Sequence, residues 1–356
     1  MFGGSASLRR IYAFSAATTV IVFLVTGIVG GAEALLSVLV LSALEVTFSF
    51  DNAVVNAKVL QRMSVFWQKA FMTVGILIAV FGMRLLLPVV LVALTARLPM
   101  NEVVQLALER PADYAHYLTL AHPIIASFGG MFLLMIFLEF VLDYGRRVHW
   151  IRIVERPFMR IGRLKQVPPL LALIVLVAVT QWLAGAHKFS VLLAGVLGLV
   201  AYLSIRAMGE FFEMRQKQQL ERAAGRHTLL KASLANFLYL ELLDASFSFD
   251  GVIGAFAITN MVLLIAAGLG VGAVWVRSMT IHIVRHNTLL KYRYLDHGAH
   301  YAIGALAAML LLGIRYDINQ AVTGTIGILI IGFAFYSSWR YNHLNEPVPA
   351  HMSGRA

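Results

Sequence analysis

Leu-Glu-Val-Thr-Phe-Ser-Phe-Asp at 44–51 and Leu-Asp-Ala-Ser-Phe-Ser-Phe-Asp at 243–250 are two copies of one segment, each inside a hydrophobic stretch. The copies end in Asp51 and Asp250, and each carries a second acid six positions earlier, Glu45 or Asp244. A charged side chain at the centre of a membrane helix costs roughly 2.5–3.5 kcal/mol. Four carboxylates kept at matching positions against that cost point to an ion pathway.

Composition puts this motif in a membrane. Of 356 residues, 60% are hydrophobic and 13% charged, about half the charge fraction of a soluble domain, so a soluble enzyme is excluded. Cysteine is absent, which rules out a disulfide framework, a thiolate metal centre and a cysteine nucleophile. Arg9 and Arg10 precede an apolar run as in a signal peptide, but no small-residue cleavage site follows. The run is expected to remain as the first helix.

Apolar stretches of spanning length fall at about 13–30, 32–57, 70–96, 123–143, 168–185, 189–206, 231–258, 261–284, 298–314 and 319–338. They predict an all-α polytopic membrane protein of about ten transmembrane helices, a single transmembrane domain over 1–356. With the N-terminus inside, 23 of the 29 Lys and Arg residues fall in inner segments and 4 in outer ones. This is the positive-inside pattern, and it puts both termini in the cytoplasm. The net charge of +11 is then a topology signal, and no nucleic-acid partner is expected. The basic cytoplasmic loops 144–167 and 207–230 are placed to touch anionic lipid headgroups, and the second reads as an amphipathic surface helix.

The two motifs align at an offset of 199, and weaker echoes follow in the same order. Gly75 and Arg84 of the third span match Gly268 and Arg277 of the eighth. Ala121-His122 before the fourth matches Ala299-His300 before the ninth. The second span runs inward and the seventh outward. Spans two to four (about 32–143) and seven to nine (about 231–314) therefore predict an inverted three-helix repeat, a transporter architecture with its site near the midplane. Glu45 and Asp244 fall near span centres, with Asp51 and Asp250 ~9 Å to opposite sides of them at 1.5 Å per residue.

Glu45, Ser49, Asn52 and Asn56 share one helical stripe, with Thr47 and Asp51 on a neighbouring one. In the second copy Glu241, Asp244, Ser248 and Gly251 share a stripe, with Ser246 and Asp250 beside it. Oxygen donors without sulfur suit Mn²⁺, Ca²⁺ or Mg²⁺, and deprotonation on metal binding offers a route to proton exchange. The competing structural reading makes these acids ion-pair partners of Arg84 and Arg277. Two arginines cannot neutralise Glu45, Asp51, Glu139, Glu241, Asp244 and Asp250. That surplus favours transport for Asp51 and Asp250, while the arginines read as packing counter-charges. His122 and His300 are either gate ligands and proton relays or helix-end caps. Glu139 is a candidate for the pathway, and Gly129-Gly130 reads as a close helix contact. No nucleophile triad or phosphate loop stands out, so enzymatic activity is not expected.

Phe-Ser-Phe-Asp-Gly-Val-Ile-Gly-Ala-Phe-Ala-Ile-Thr (247–259) resembles the second acidic motif of the TerC-like membrane proteins. Residues 44–54 resemble their first motif, and Phe-Gly-Gly-Met-Phe-Leu-Leu (128–134) their glycine-bearing helix. From about 32 to 342, with phrases such as His-Gly-Ala-His-Tyr-Ala-Ile-Gly-Ala-Leu (297–306), the chain is most similar to a bacterial branch catalogued as domain of unknown function 475. The resemblance implies inverted three-helix repeats shared with LysE-like exporters and a role in metal homeostasis, with manganese export the leading activity. It places Asp51 and Asp250 in a metal site with Glu45 and Asp244 as partners. One departure is clear. Relatives commonly carry Ser-Ile-Pro after the second Asp, where this chain has Gly251-Val252-Ile253 and so lacks both the hydroxyl and the helix-breaking proline.

The expected function is export of a divalent cation, Mn²⁺ first, across a bacterial inner membrane, with proton exchange as its coupling. Expected metal contacts are Asp51, Asp250, Glu45, Asp244, Glu241 and Asn52. Ser49, Ser248, Asn56, Glu139, Arg84, Arg277, His122 and His300 stand as accessory candidates. The cation is cargo, no tightly bound cofactor is expected, and the partners are the bilayer and a homo-oligomer. The alternative is a membrane scaffold for a tellurium- or metal-stress complex, or a metal-loading one, that carries no ion.

Overall fold

A computed structural model describes residues 8–345 apart from 62, 147, 162–163, 165, 184–186, 221–225, 257, 287, 317 and 319. Within helices the side chains of some further residues, 248–250 among them, also lie outside the described set. The described chain is helical, without a strand. It opens with α1 (Leu8–Phe48) and α2 (Phe50–Leu60). Then α3 (Val65–Leu77), a π-helical stretch (Ile78–Leu86) and α4 (Leu87–Ala96) form one continuous run. Next come α5 (Met100–Glu109), α6 (Pro111–Leu142), α7 (Arg152–Ile161), α8 (Val167–Gln181), α9 (His187–Leu220) and α10 (Arg226–Ala255). The chain ends with α11 (Val262–Arg285), α12 (Thr288–Lys291), α13 (Leu295–Gly313) and α14 (Gln320–Asn345).

Seven helical runs among the described residues are long and apolar enough to cross a membrane, while α8 is apolar but only 15 residues long. Large apolar side chains cover the outside: Ile28, Val29, Leu94, Phe189 and Leu329 are each more than half exposed. Such a surface is at home against acyl chains and not against water. The chain is a multi-pass membrane protein.

Gly31 divides α1 into two helices. Its φ of 75° and ψ of −170° lie in a region essentially open to glycine alone. Before it, Ser15 bonds Val274 and Ser278 of α11 while Ile11 accepts from Ser278, so this half runs antiparallel to α11. After it, Ser42 donates to Gly268 and Glu45 lies on Gly272, so the second half runs parallel to the same helix. The chain has reversed between them, at the boundary drawn between the first two apolar stretches.

α6, α11 and α13 are the most buried of the spanning helices. α6 and α13 pack antiparallel: Gly130 meets Leu310 and Leu311, and Phe140 meets His297 and His300. α3 and its π-helical extension run antiparallel to α11, with Phe71 and Gly75 at Arg277 and Val80 at Gly270. α2 runs antiparallel to α10, Asp51 and Asn52 lying level with Phe247 and Gly251, and Val59 level with Ala235. Gly129 of α6 faces Ser246 of α10, at a distance where an added methyl group would make ordinary contact.

Two sequence expectations are corrected. Residues 207–230 do not form a separate surface helix: α9 continues to Leu220 and α10 begins at Arg226. Charged residues favour helix as well as apolar ones do, and pairs such as Arg206–Glu210 at i, i+4 carry the helix past its apolar end. The stretch before residue 123 is also helical. Pro111 stands in the first turn of α6, where its missing N–H costs nothing, and starts that helix earlier than hydropathy alone indicates.

Candidate functional site

The first acidic motif sits at a helix break. Ser49 separates α1 from α2 with φ −100° and ψ 18°, although its N–H still bonds the Glu45 carbonyl at 2.9 Å. α2 starts directly after the break and carries Asp51 in its first turn. Beside it lies a cavity of about 40 Å³ lined by Glu45, Ser49, Asp51 and Asn52, closed by Phe247 and Gly251 of α10, Ala302 and Leu306 of α13, and Thr323, Gly324 and Gly327 of α14. Ser49 Oγ donates to Glu45 Oε1 at 3.2 Å, and the Asn52 N–H donates to Asp51 Oδ1 at 2.9 Å. Asp51 is 6% exposed, and no cation lies within ion-pair distance of it among the described residues. The side-chain oxygens of Asn52 and Asn56, buried one helical turn apart, have no hydrogen-bond partner among the described residues. The arrangement presents oxygen acceptors, of which the Glu45 carboxylate is shared with Arg84 while Asp51 meets no cation among the described residues.

Both buried arginines are spent on acids. Arg84 pairs with Glu45, and its Nη1 donates to the Ala79 carbonyl at 2.8 Å within the π-helical stretch. Arg277 lies 3.5 Å from Glu241 and 3.6 Å from Asp244, too far for full hydrogen bonds. Its guanidinium instead donates to the Phe71 and Gly75 carbonyls and stacks 3.9 Å from the Phe71 ring centre. Each arginine thus meets the upstream acid of one motif: Glu45 in the first copy, Asp244 in the second.

A family model described as "Protein of unknown function (DUF475)" matches residues 50–345. The chain belongs to this family. No curated protein and no solved structure matches it.

In this DUF475 protein the remaining sequence candidates are dispersed. Glu241 and Asp244 are gathered around Arg277 and do not line the cavity at Asp51. Glu139 pairs with Arg206 and accepts from the Tyr202 hydroxyl at 2.8 Å. His300 stacks on Phe140 at 3.9 Å and shares a hydrogen bond with the Asp296 carbonyl at 2.7 Å. His122 packs near Gly313. The side chains of Ser248 and Asp250 lie outside the described residues; their backbone continues α10 without interruption, as expected where no proline follows. Among the described residues, no three His, Asp or Glu side chains gather closely enough to hold a metal ion. Sequence reasoning missed α14 as a wall of the cavity. Gly324 and Gly327, three apart on one face, were the available signal, since small residues mark close helix approach.

Proposed function

We propose that this protein is a transporter of divalent metal cations, with Mn²⁺ as the first cargo, exporting the ion through the cavity at the Ser49 break in exchange for protons. The observation that carries this reading is Asp51, a buried carboxylate at a helix break that neither buried arginine reaches. Retaining a membrane carboxylate without a counter-ion is costly, and a passing cation supplies the missing charge. A cavity of about 40 Å³ has room for an ion or a few waters, which favours a cation over an organic solute. Glu45, Asn52 and Ser49 add oxygens on one side, and Asp250 would add its own from α10.

The packing supports an inverted repeat. Exchanging the second span with the seventh, the third with the eighth and the fourth with the ninth turns two of the contacts between the halves into two others. The second span lies on α11 as α10 lies on α3, and α2 on α13 as α10 on α6. Each exchanged pair in direct contact is antiparallel, as inversion requires. The matching arginine–acid pairs support the same register. With ten spans and the basic segments inside, cargo would be released on the outer face.

The test is Mn²⁺ flux into proteoliposomes with internal pH recorded, comparing the native protein with Asp51→Asn and with Asp51→Asn/Asp250→Asn. Lost flux in variants that still elute as folded protein is expected, and undiminished flux in both would overturn the reading. Absence of native flux with Mn²⁺, Ca²⁺ and Mg²⁺ alike would turn attention to a scaffold role, sought through proteins co-purifying on the 144–167 segment.

A further inference from the structure

A second cavity, of about 320 Å³, lies further along α2 from the one at Asp51. Its lining includes Lys58 and Val59 of α2, Arg206 of α9, Asn236 and Tyr239 of α10, and His300 of α13. Walls this polar suit water, unlike those of an apolar packing void. The two cavities share stripes of the same helices. On α2, Asp51 lines the first, while Val55 and Lys58, four and seven positions on, line the second. On α10 the stripe runs Tyr239, Leu243, Phe247, Gly251, with Tyr239 at the second cavity and the last two at the first. One apolar layer separates them. Val55 is 2% exposed, and Leu243, level with it in the antiparallel pair, is fully buried. Asn56, next to Val55, is buried too, and its Oδ1 has no partner among the described residues.

Charge at the second cavity does not oppose a cation. Lys58 pairs with Asp296 at 2.8 Å, and Arg206 pairs with Glu139 and, at 2.9 Å, with Glu210. Among the described residues, its two cations are thus met by three carboxylates, which favours entry of positive charge. On the far side of the Asp51 cavity, α10 continues into Val252 and Ala255, packed in an apolar cluster with Tyr114 and Leu118 of α6.

Taking Asp51 as the transport site, we propose that the second cavity is its cytoplasmic entrance, and that Val55 and Leu243 form an apolar septum the cation must cross. A dry apolar constriction holds ions back until it widens enough to admit water. Asn56 supplies an oxygen at the level of the septum, where a cation shedding water needs one.

The chain has no cysteine, so single introduced cysteines report access directly. The probe is a membrane-impermeant, cationic methanethiosulfonate applied to inside-out and right-side-out vesicles. Asn236→Cys should be labelled only in inside-out vesicles. Asn52→Cys, beyond the septum, should be labelled slowly from that side, and about tenfold faster once Leu243→Ala or Val55→Ala thins the layer. Either truncation suffices where the other does not yield folded protein. Labelling of Asn236→Cys should also abolish Mn²⁺ flux in proteoliposomes. Labelling of Asn236→Cys from the outer side, a rate at Asn52→Cys that neither truncation changes, or full flux after complete labelling of Asn236→Cys would each overturn the proposal. Absence of flux in the native protein would count instead against Asp51 as a transport site, and the labelling rates would still decide the route.

Discussion

Arg84 closes a buried ion pair on Glu45, reaching from the π-helical stretch to the end of α1. Arg277 approaches Asp244 to 3.6 Å from the matching place on α11. Within the π-helical stretch the Ala79 carbonyl, five residues back, also accepts from the Arg84 side chain and so holds the guanidinium's direction. With each upstream acid answered by an arginine, the uncompensated charge of the first motif falls on Asp51.

Replacing Glu45 by Gln should strand Arg84 in the membrane interior and destabilise the protein by about 3–5 kcal/mol, the usual result of removing one partner of a buried pair. Glu45→Leu/Arg84→Leu should recover most of that loss, because apolar groups of similar size need no partner. Thermal unfolding of the single and double variants checks both statements. Purely additive losses would mean that the pair contributes nothing through its charges.

Gly31→Ala should cost about 1–3 kcal/mol although nothing lies near its added methyl group. The cost is backbone strain at φ 75° and not a clash. Unfolding in detergent should show a lower Tm, with the first half of α1 becoming sensitive to protease before the rest. An unchanged Tm would place the chain reversal elsewhere than this glycine.

Much of this architecture could be read from hydropathy. The apolar stretches fall on helical segments, because a membrane segment must satisfy its backbone internally and so becomes helix, although the stretch at 32–57 is divided at Ser49. The boundary between the stretches 13–30 and 32–57 falls at the first reversal. Three features could not be read. The continuation of α9 to Leu220 follows charged-residue helix propensity, which hydropathy ignores. The π-helical stretch that contains Arg84 leaves no mark in the hydropathy pattern. The closure of the cavity by Thr323, Gly324 and Gly327 is a contact between elements more than 270 positions apart, which the local patterns of one sequence do not report.

Gly198 and Gly209 lie on the same helix and should respond oppositely to alanine. A Cβ at Gly198 would run into the Phe128 backbone of α6, which cannot move aside as a side chain could. Overpacking of that kind costs ~1–3 kcal/mol and should loosen α9 from α6. At Gly209 nothing lies within 4 Å of the added atom, so alanine should stabilise the helix by about 0.5–1 kcal/mol. Paired melts of the two variants make the comparison; equal effects would show that this α6–α9 contact is not as tight as described.

Gly327→Ala separates the site from the fold. Its new methyl group would stand 3.6 Å from Asp51 Oδ2, an ordinary contact that requires no rearrangement. Stability should hold or rise by about 0.5–1 kcal/mol, since alanine favours helix over glycine. Yet the methyl group occupies space beside the Asp51 carboxylate in a cavity of only about 40 Å³, displacing the water or ion that would solvate it. Metal flux in proteoliposomes should therefore fall while Tm does not, and Gly327→Leu should deepen the loss of flux. Full flux through a Gly327→Leu protein of native stability would mean that ions do not pass this cavity. The route would then have to be sought on the α10 side, along the stripe of Asp244 and Ser248.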